Sequence, residues 1–248
     1  AMRCEGKFVF PLFASFLILT AFASVSEAKT IYVPDDYARI QWAVDNATDG
    51  DTIIVRDGNY YENVVVSKKL TIKSENGPSN CIVQPENLSY PVFEVKVDNV
   101  TMSGFTIRNA HGDIEESGFE GSGLILNSVS NCIIANNTFE NNTLGIEVYN
   151  SNYNSIKNNT ISDNKFGILL FNSSYNSLIN NIASNNTGFN GSEEMPPSAG
   201  ILITGSHNII KDNNASYNFL GIVIFGNKNT SVNNTIEGNR VLNNKWGI

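Results

Sequence analysis

The 248-residue chain is 41% hydrophobic and only 16% charged, with a formal net charge of −8. Asn, Ser, Thr and Gly stand where an ordinary helical enzyme carries charge. Ile, Val, Leu and Phe recur throughout, which excludes a disordered tail, and the lack of a basic stripe excludes nucleic acid as a partner.

In chain order, residues 1–28 read as a secretory signal. Arg3 and Lys7 give a positive start, an apolar run follows from Phe8 to Val25, and Ser26-Glu27-Ala28 sets up cleavage after Ala28. The mature domain is then 29–248, exported to the extracellular space, the cell surface or the periplasm. No second apolar run is long enough to cross a bilayer, so no membrane span is expected once the signal is removed. Thr30–Val33 reads as a strand, and 37–46 as a short helix with Ile40, Ala43 and Val44 on one face and Asp35 or Asp36 as its cap. Residues 50–55 form a turn and strand, and 63–66, 70–72 and 81–83 read as further strands. The helix is placed to cover the raw first edge of the strands.

From there the chain repeats. Gly123, Gly145 and Gly167 recur every 22 residues, each opening a phrase such as Gly145-Ile146-Glu147-Val148. A second phrase, Ile156-Lys157-Asn158-Asn159-Thr160-Ile161, recurs with the same period, and a closing Asn (Asn142, Asn164, Asn186, Asn218, Asn244) ends each unit. Apolar residues alternate within runs too short for helices, and Asn-rich turns separate them. One such unit cannot bury its apolar face alone, but stacked units put Ile on Ile and Asn on Asn. The fold expected is all-β: a right-handed parallel β-helix with a rise of about 4.8 Å per rung and a short N-terminal capping helix. Columns Asn154/Asn176/Asn208/Asn234 and Asn137/Asn159/Asn181/Asn213/Asn239 should be hydrogen-bonded ladders, with Cys132 an inward turn residue at the foot of the first. Cys81 and Cys132 should lie about 10 Å apart, too far for a disulfide, and remain buried thiols. The last residues, Trp246-Gly247-Ile248, open another coil, which predicts that the natural protein continues.

These phrases, with Ile40-Gln41-Trp42-Ala43-Val44, Gly50-Asp51-Thr52-Ile53-Ile54-Val55 and Gly58-Asn59-Tyr60-Tyr61-Glu62-Asn63-Val64 near the start, resemble the pectin-lyase-like β-helix superfamily over nearly all the mature chain. The later coils resemble its NosD-like branch, which overlaps a class named for carbohydrate-binding proteins and sugar hydrolases. The resemblance implies the fold. Its implied functions spread over lyases, glycosidases, esterases, surface proteins and a periplasmic copper-handling protein, and fold alone does not select among them.

Two insertions interrupt the repeat at 110–120 and 187–198, on one edge and about 14 Å apart. The first carries His111, Asp113, Glu115, Glu116 and Glu120, the second Glu193 and Glu194. Such loops often form a solenoid's binding face. Asp113, Glu115, Glu116, Glu193 and Glu194 are candidate carboxylates for a polysaccharide-cleaving enzyme, which needs an acid and a base or nucleophile about 5–9.5 Å apart. His111, Asp113, Glu116 and Glu120 are candidate metal ligands. Ca²⁺ suits such oxygen donors, although no cofactor is required, and two His offer little to copper. The outward positions of the Gly-Ile strands are unexpectedly apolar. Leu169 and Leu202, with Tyr149, Phe171 and Phe225 beside them, form a candidate ligand-binding stripe, unless the insertions cover it. Tyr153 and Tyr175 make a separate turn column. Asn-x-Ser/Thr sequons are numerous; those in ladders should be inaccessible, leaving loop acceptors such as Asn87 and Asn190. The expected function is a non-catalytic module that contacts carbohydrate or another envelope component, or builds surface structure.

Overall fold

The computed structural model describes residues 27–112, 121–189, 191, 197–226 and 231–247, and the backbone of 114, 115, 118 and 119. Residues 1–26, which hold Cys4 and most of the segment expected to be a signal, lie outside the described residues.

One coil shows how the local chemistry makes the fold. Leu144–Tyr149, Ser155–Lys157 and Thr160–Ser162 are its three strands. The corners are made by residues in the left-handed conformation: Asn150 (φ 47°) and Tyr153 (φ 59°) at the first, Asn158 (φ 55°) at the second and Asp163 (φ 60°) at the third. That reversal points the next residue inward: Ser151 after Asn150, and Asn154, Asn159 and Asn164 after the other three, all buried. Asn and Asp adopt this geometry at low cost; a tyrosine is costlier and needs a compensating contact.

Stacked coils form sheets of nine, seven and six strands, in which every pairing is parallel. This is the expected parallel β-helix. Ile146 pairs with Ile168, Ile168 with Ile201 and Ile201 with Ile222. All four are fully buried in one apolar core running the length of the stack, each burial contributing roughly 2 kcal/mol. Three Asn ladders run beside it, one at each corner. The Asn159 carboxamide oxygen accepts from the backbone N–H and the side-chain amide of Asn137, at 3.0 and 3.2 Å, while its own amide donates to the Ile134 carbonyl at 2.9 Å. Asn164 does the same in its column, and Asn154 in its own accepts the Cys132 backbone N–H and donates to the Val129 carbonyl. The closing Asn residues are therefore a third ladder. Gly145 is required by the close approach of this ladder corner: a Cβ there would strike Ile161 Cγ2 and lie 2.7 Å from the Gly167 carbonyl oxygen.

Cys132 sits at the foot of its ladder as expected, buried and unpaired, as is Cys81. Burial pushes the Cys132 thiol up and the Cys81 thiol up to about 12.

The capping helix is shorter than expected, α1 (Ile40–Asn46), and neither Asp35 nor Asp36 caps it. Asp36 instead accepts the Tyr32 N–H at 2.7 Å, and Asp35 pairs with Arg56. The cap comes from the following coil: the buried Glu62 carboxylate accepts the N–H groups of Ile40 and Gln41, at 2.9 and 3.0 Å. Gln41 in turn takes the place of a strand beside Val64–Val66, the first strand of the seven-stranded sheet. Its side-chain oxygen accepts the Val65 N–H at 2.7 Å and its amide donates to the Val65 carbonyl at 3.3 Å. α1 thus satisfies the open edge as well as burying Ile40, Ala43 and Val44.

Candidate functional site

The longest strands, Ser122–Asn127, Leu144–Tyr149, Phe166–Phe171, Ala199–Ile203 and Leu220–Ile224, belong to the seven-stranded sheet. Both insertions leave the corner just before this sheet, so its outer face is where the repeat is most elaborated.

That face is not one open stripe. Leu169 and Leu202 are 1% and 3% exposed, which corrects the expectation that they offer a contact surface. They join Leu144, Phe166, Ala199 and Leu220 in a second, smaller apolar cluster outside the solenoid wall, and Phe189 of the second insertion packs on it. The outward apolar column is thus the floor for that insertion. Tyr149, Phe171 and Phe225 do remain exposed, at 37%, 45% and 46%.

Tyr149 and Phe171 stack with ring centroids 5.6 Å apart and planes 7° from parallel. At the adjoining corner Tyr153 stacks on Tyr175 at 5.0 Å, and Tyr175 on His207 at 4.7 Å. All three are left-handed residues, and the stacking supplies the compensating contact that the strained tyrosines need. The column ends at Asn233, whose amide meets His207 Nε2 at 3.1 Å. Rings stacked along the axis spend their faces on each other and turn their edges outward. The surface is a narrow apolar ridge with hydroxyl tips.

Glu147 is the residue that sequence reasoning passed over. It points outward between Ile125 and Leu169 yet is only 5% exposed. Ser122 Oγ donates to its Oε2 at 2.9 Å. Burial raises its carboxyl to about 7, against the opposing pull of that hydroxyl. The available signal was a Glu in a run of outward positions that from Ile125 onward otherwise reads Ile, Leu, Leu, Val. In the same column, two strands away, stands Glu94. It is paired with Lys96 at 3.0 Å and accepts from Asn127 at 3.1 Å.

Of the loop candidates, Asp113, Glu116, Glu120, Glu193 and Glu194 lie outside the described residues. Glu115 is described by its backbone, in an antiparallel turn pairing Ile114–Glu115 with Gly118–Phe119. His111 is exposed and its N–H donates to the Leu88 carbonyl at 3.0 Å, well away from His207 in its aromatic column. Among the described residues no three His, Cys, Asp or Glu side chains group closely enough to share a metal ion.

Residues 91–248 match the model of a protein family described as the right-handed β-helix region. The chain belongs to that right-handed β-helix family. This β-helix is 33% identical over 125 residues to a cell surface glycoprotein of Methanothermus fervidus, a stretch that is 50% of this chain and 19% of that protein. Among solved structures it resembles an alginate lyase from Paenibacillus sp. str. FPU-7, at 13% identity and a TM-score of 0.57, over 89% of this chain and 99% of that one. The Dettilon tailspike protein is similar at 15% identity and a TM-score of 0.57, over 86% of this chain and 50% of that one. At such identities these two likenesses bear on the fold alone.

Proposed function

We propose that this chain is a non-catalytic, exported β-helix module of the cell surface, whose aromatic ridge is its contact strip for saccharide of the envelope. The observation that carries the reading is the disposition of the rings. Tyr149, Phe171, Tyr153 and Tyr175 stay exposed while stacked on one another. A ridge of ring edges suits contact along an extended chain or against a neighbouring envelope component. Cleavage chemistry favours a concave site that excludes water. The match to a cell surface glycoprotein supports the surface setting.

Affinity electrophoresis or pull-down on insoluble envelope polysaccharide tests the reading. The double variant Tyr149→Ala, Phe171→Ala should bind about tenfold more weakly, the equivalent of about 1.4 kcal/mol. Retention equal to that of the unaltered chain would remove the ridge as a contact strip.

A second reading is favoured by Glu147 and Glu94. One carboxyl is held protonated near neutrality and the other is ion-paired, the asymmetry that an acid and its partner require. Two rungs separate their backbones by about 10 Å, near the carboxyl spacing of roughly 6.5–9.5 Å for inverting glycosidases. Measuring new reducing ends from a polysaccharide panel, with and without Ca²⁺, decides it. Activity that disappears in Glu147→Gln supports the enzyme; no product, or equal product from both, closes it.

A further inference from the structure

The sequons divide according to what their acceptor side chains do. In an Asn-Asn-Thr corner the ladder residue is the second Asn. The first, which is the acceptor, is the left-handed corner residue and faces solvent, so the ladder does not bury the sequon. Asn136 and Asn158 (φ 57° and 55°) are of this kind, and Asn99 (φ 63°) holds the same position at another corner. Asn87 lies in an exposed turn, its side-chain oxygen accepting the Ser89 N–H at 3.2 Å. Among the described residues the amide nitrogens of these four make no hydrogen bond. Others are committed. The amide of Asn141 donates to Asn109 at 2.7 Å, that of Asn172 to Asn150 at 2.7 Å, that of Asn185 to Asp163, and that of Asn46 to the Trp42 carbonyl at 2.8 Å.

We propose that Asn87, Asn99, Asn136 and Asn158 are the preferred N-glycosylation sites of the folded chain, over Asn46, Asn141, Asn172 and Asn185. The proposal rests on the export proposed above, since transfer takes place outside the cytoplasm. The donor is a polyprenyl phosphate- or pyrophosphate-linked oligosaccharide, acted on by a membrane transferase. The amide nitrogen forms the new bond to the anomeric carbon, the bond from that carbon to the phosphate oxygen breaks, and the released amide proton ends on the departing lipid phosphate. An acceptor already donating its amide proton must first give up that bond. One exposed hydrogen bond corresponds to roughly fivefold in occupancy. Glycans at these corners would project radially, away from the pairing edges of the stack, and leave the inner ladders intact.

Glycopeptide mass spectrometry tests this on the full chain, expressed with its own leader in a host that N-glycosylates exported proteins. Site occupancy is read in the exported fraction. The expected result is glycan mass on the peptides of Asn87, Asn99, Asn136 and Asn158, at least about fivefold above the committed group. Thr138→Val and Thr160→Val should abolish it at Asn136 and Asn158 while leaving the circular-dichroism spectrum unchanged. Equal occupancy in both groups, or an exported chain bare at all four sites, would overturn the assignment while leaving the surface reading standing. A chain that remains in the cytoplasm defeats the export reading, and the assignment falls with it.

Discussion

At the residue scale the most consequential group is Glu147. A glutamate in the unfolded chain titrates near 4.5, whereas in the fold this one keeps its proton up to about 7. Between those values the unfolded chain has released a proton that the folded chain still holds. Its contribution is therefore complete below about pH 4.5, declines as pH rises through the window, and levels off above 7, by about 3 kcal/mol in all. Glu147→Gln keeps an acceptor for Ser122 and removes the titration. The variant should melt higher than the unaltered chain at pH 8 and close to it at pH 4.5, as followed by thermal circular dichroism. Equal pH profiles for the two would show that the carboxyl is solvated. Glu147 was not legible as a special residue because strand alternation assigns it outward, where a Glu is ordinarily solvent-exposed. Its burial depends on what lies above the sheet, and periodicity carries no information about that. Leu169 and Leu202 were misjudged for the same reason, since their cover is Phe189, 20 and 13 positions away in the chain.

At the scale of elements, the corner ladders hold the strands in register. Asn159→Ala would leave the Asn137 backbone N–H and the Ile134 carbonyl buried without that partner. The cost should be roughly 2–4 kcal/mol, read from urea denaturation. Cys132 marks where one ladder begins. Its N–H donates to Asn154 at 2.9 Å, and its sulfur lies 3.6 Å from the Val97 carbonyl, in the place where a ladder amide would donate. Cys132→Asn should extend the ladder by a rung and match or exceed the stability of the unaltered chain, whereas Cys132→Ala should lose stability. An Asn variant less stable than the Ala variant would mean that the corner cannot admit the larger amide. The ladders were readable in advance because repetition at a fixed interval places each Asn above its counterpart. The cap of α1 was not. Local rules look for an acceptor just before the helix, and the acceptor is Glu62, 22 residues later, delivered by the coil itself.

At the scale of the whole molecule a solenoid is a row of nearest neighbours, and its hazard is an unpaired end. Gln41 closes one such edge by offering Val65 both an acceptor and a donor. Gln41→Ala should expose that strand and raise the apparent mass in sedimentation or light scattering as the protein concentration increases; a monodisperse variant would assign edge protection to the remainder of α1. The sequence by itself determined the coil length, the parallel stack, the inward Ile and Asn columns and the unpaired thiols, because all of these follow from a repeat whose units must bury the same face in the same way. Only the tertiary structure decided which outward side chains meet solvent, where α1 finds its cap, and that Glu147 is shielded. Those outcomes depend on segments that break the repeat or reach across from another coil, and their positions are set by packing in three dimensions.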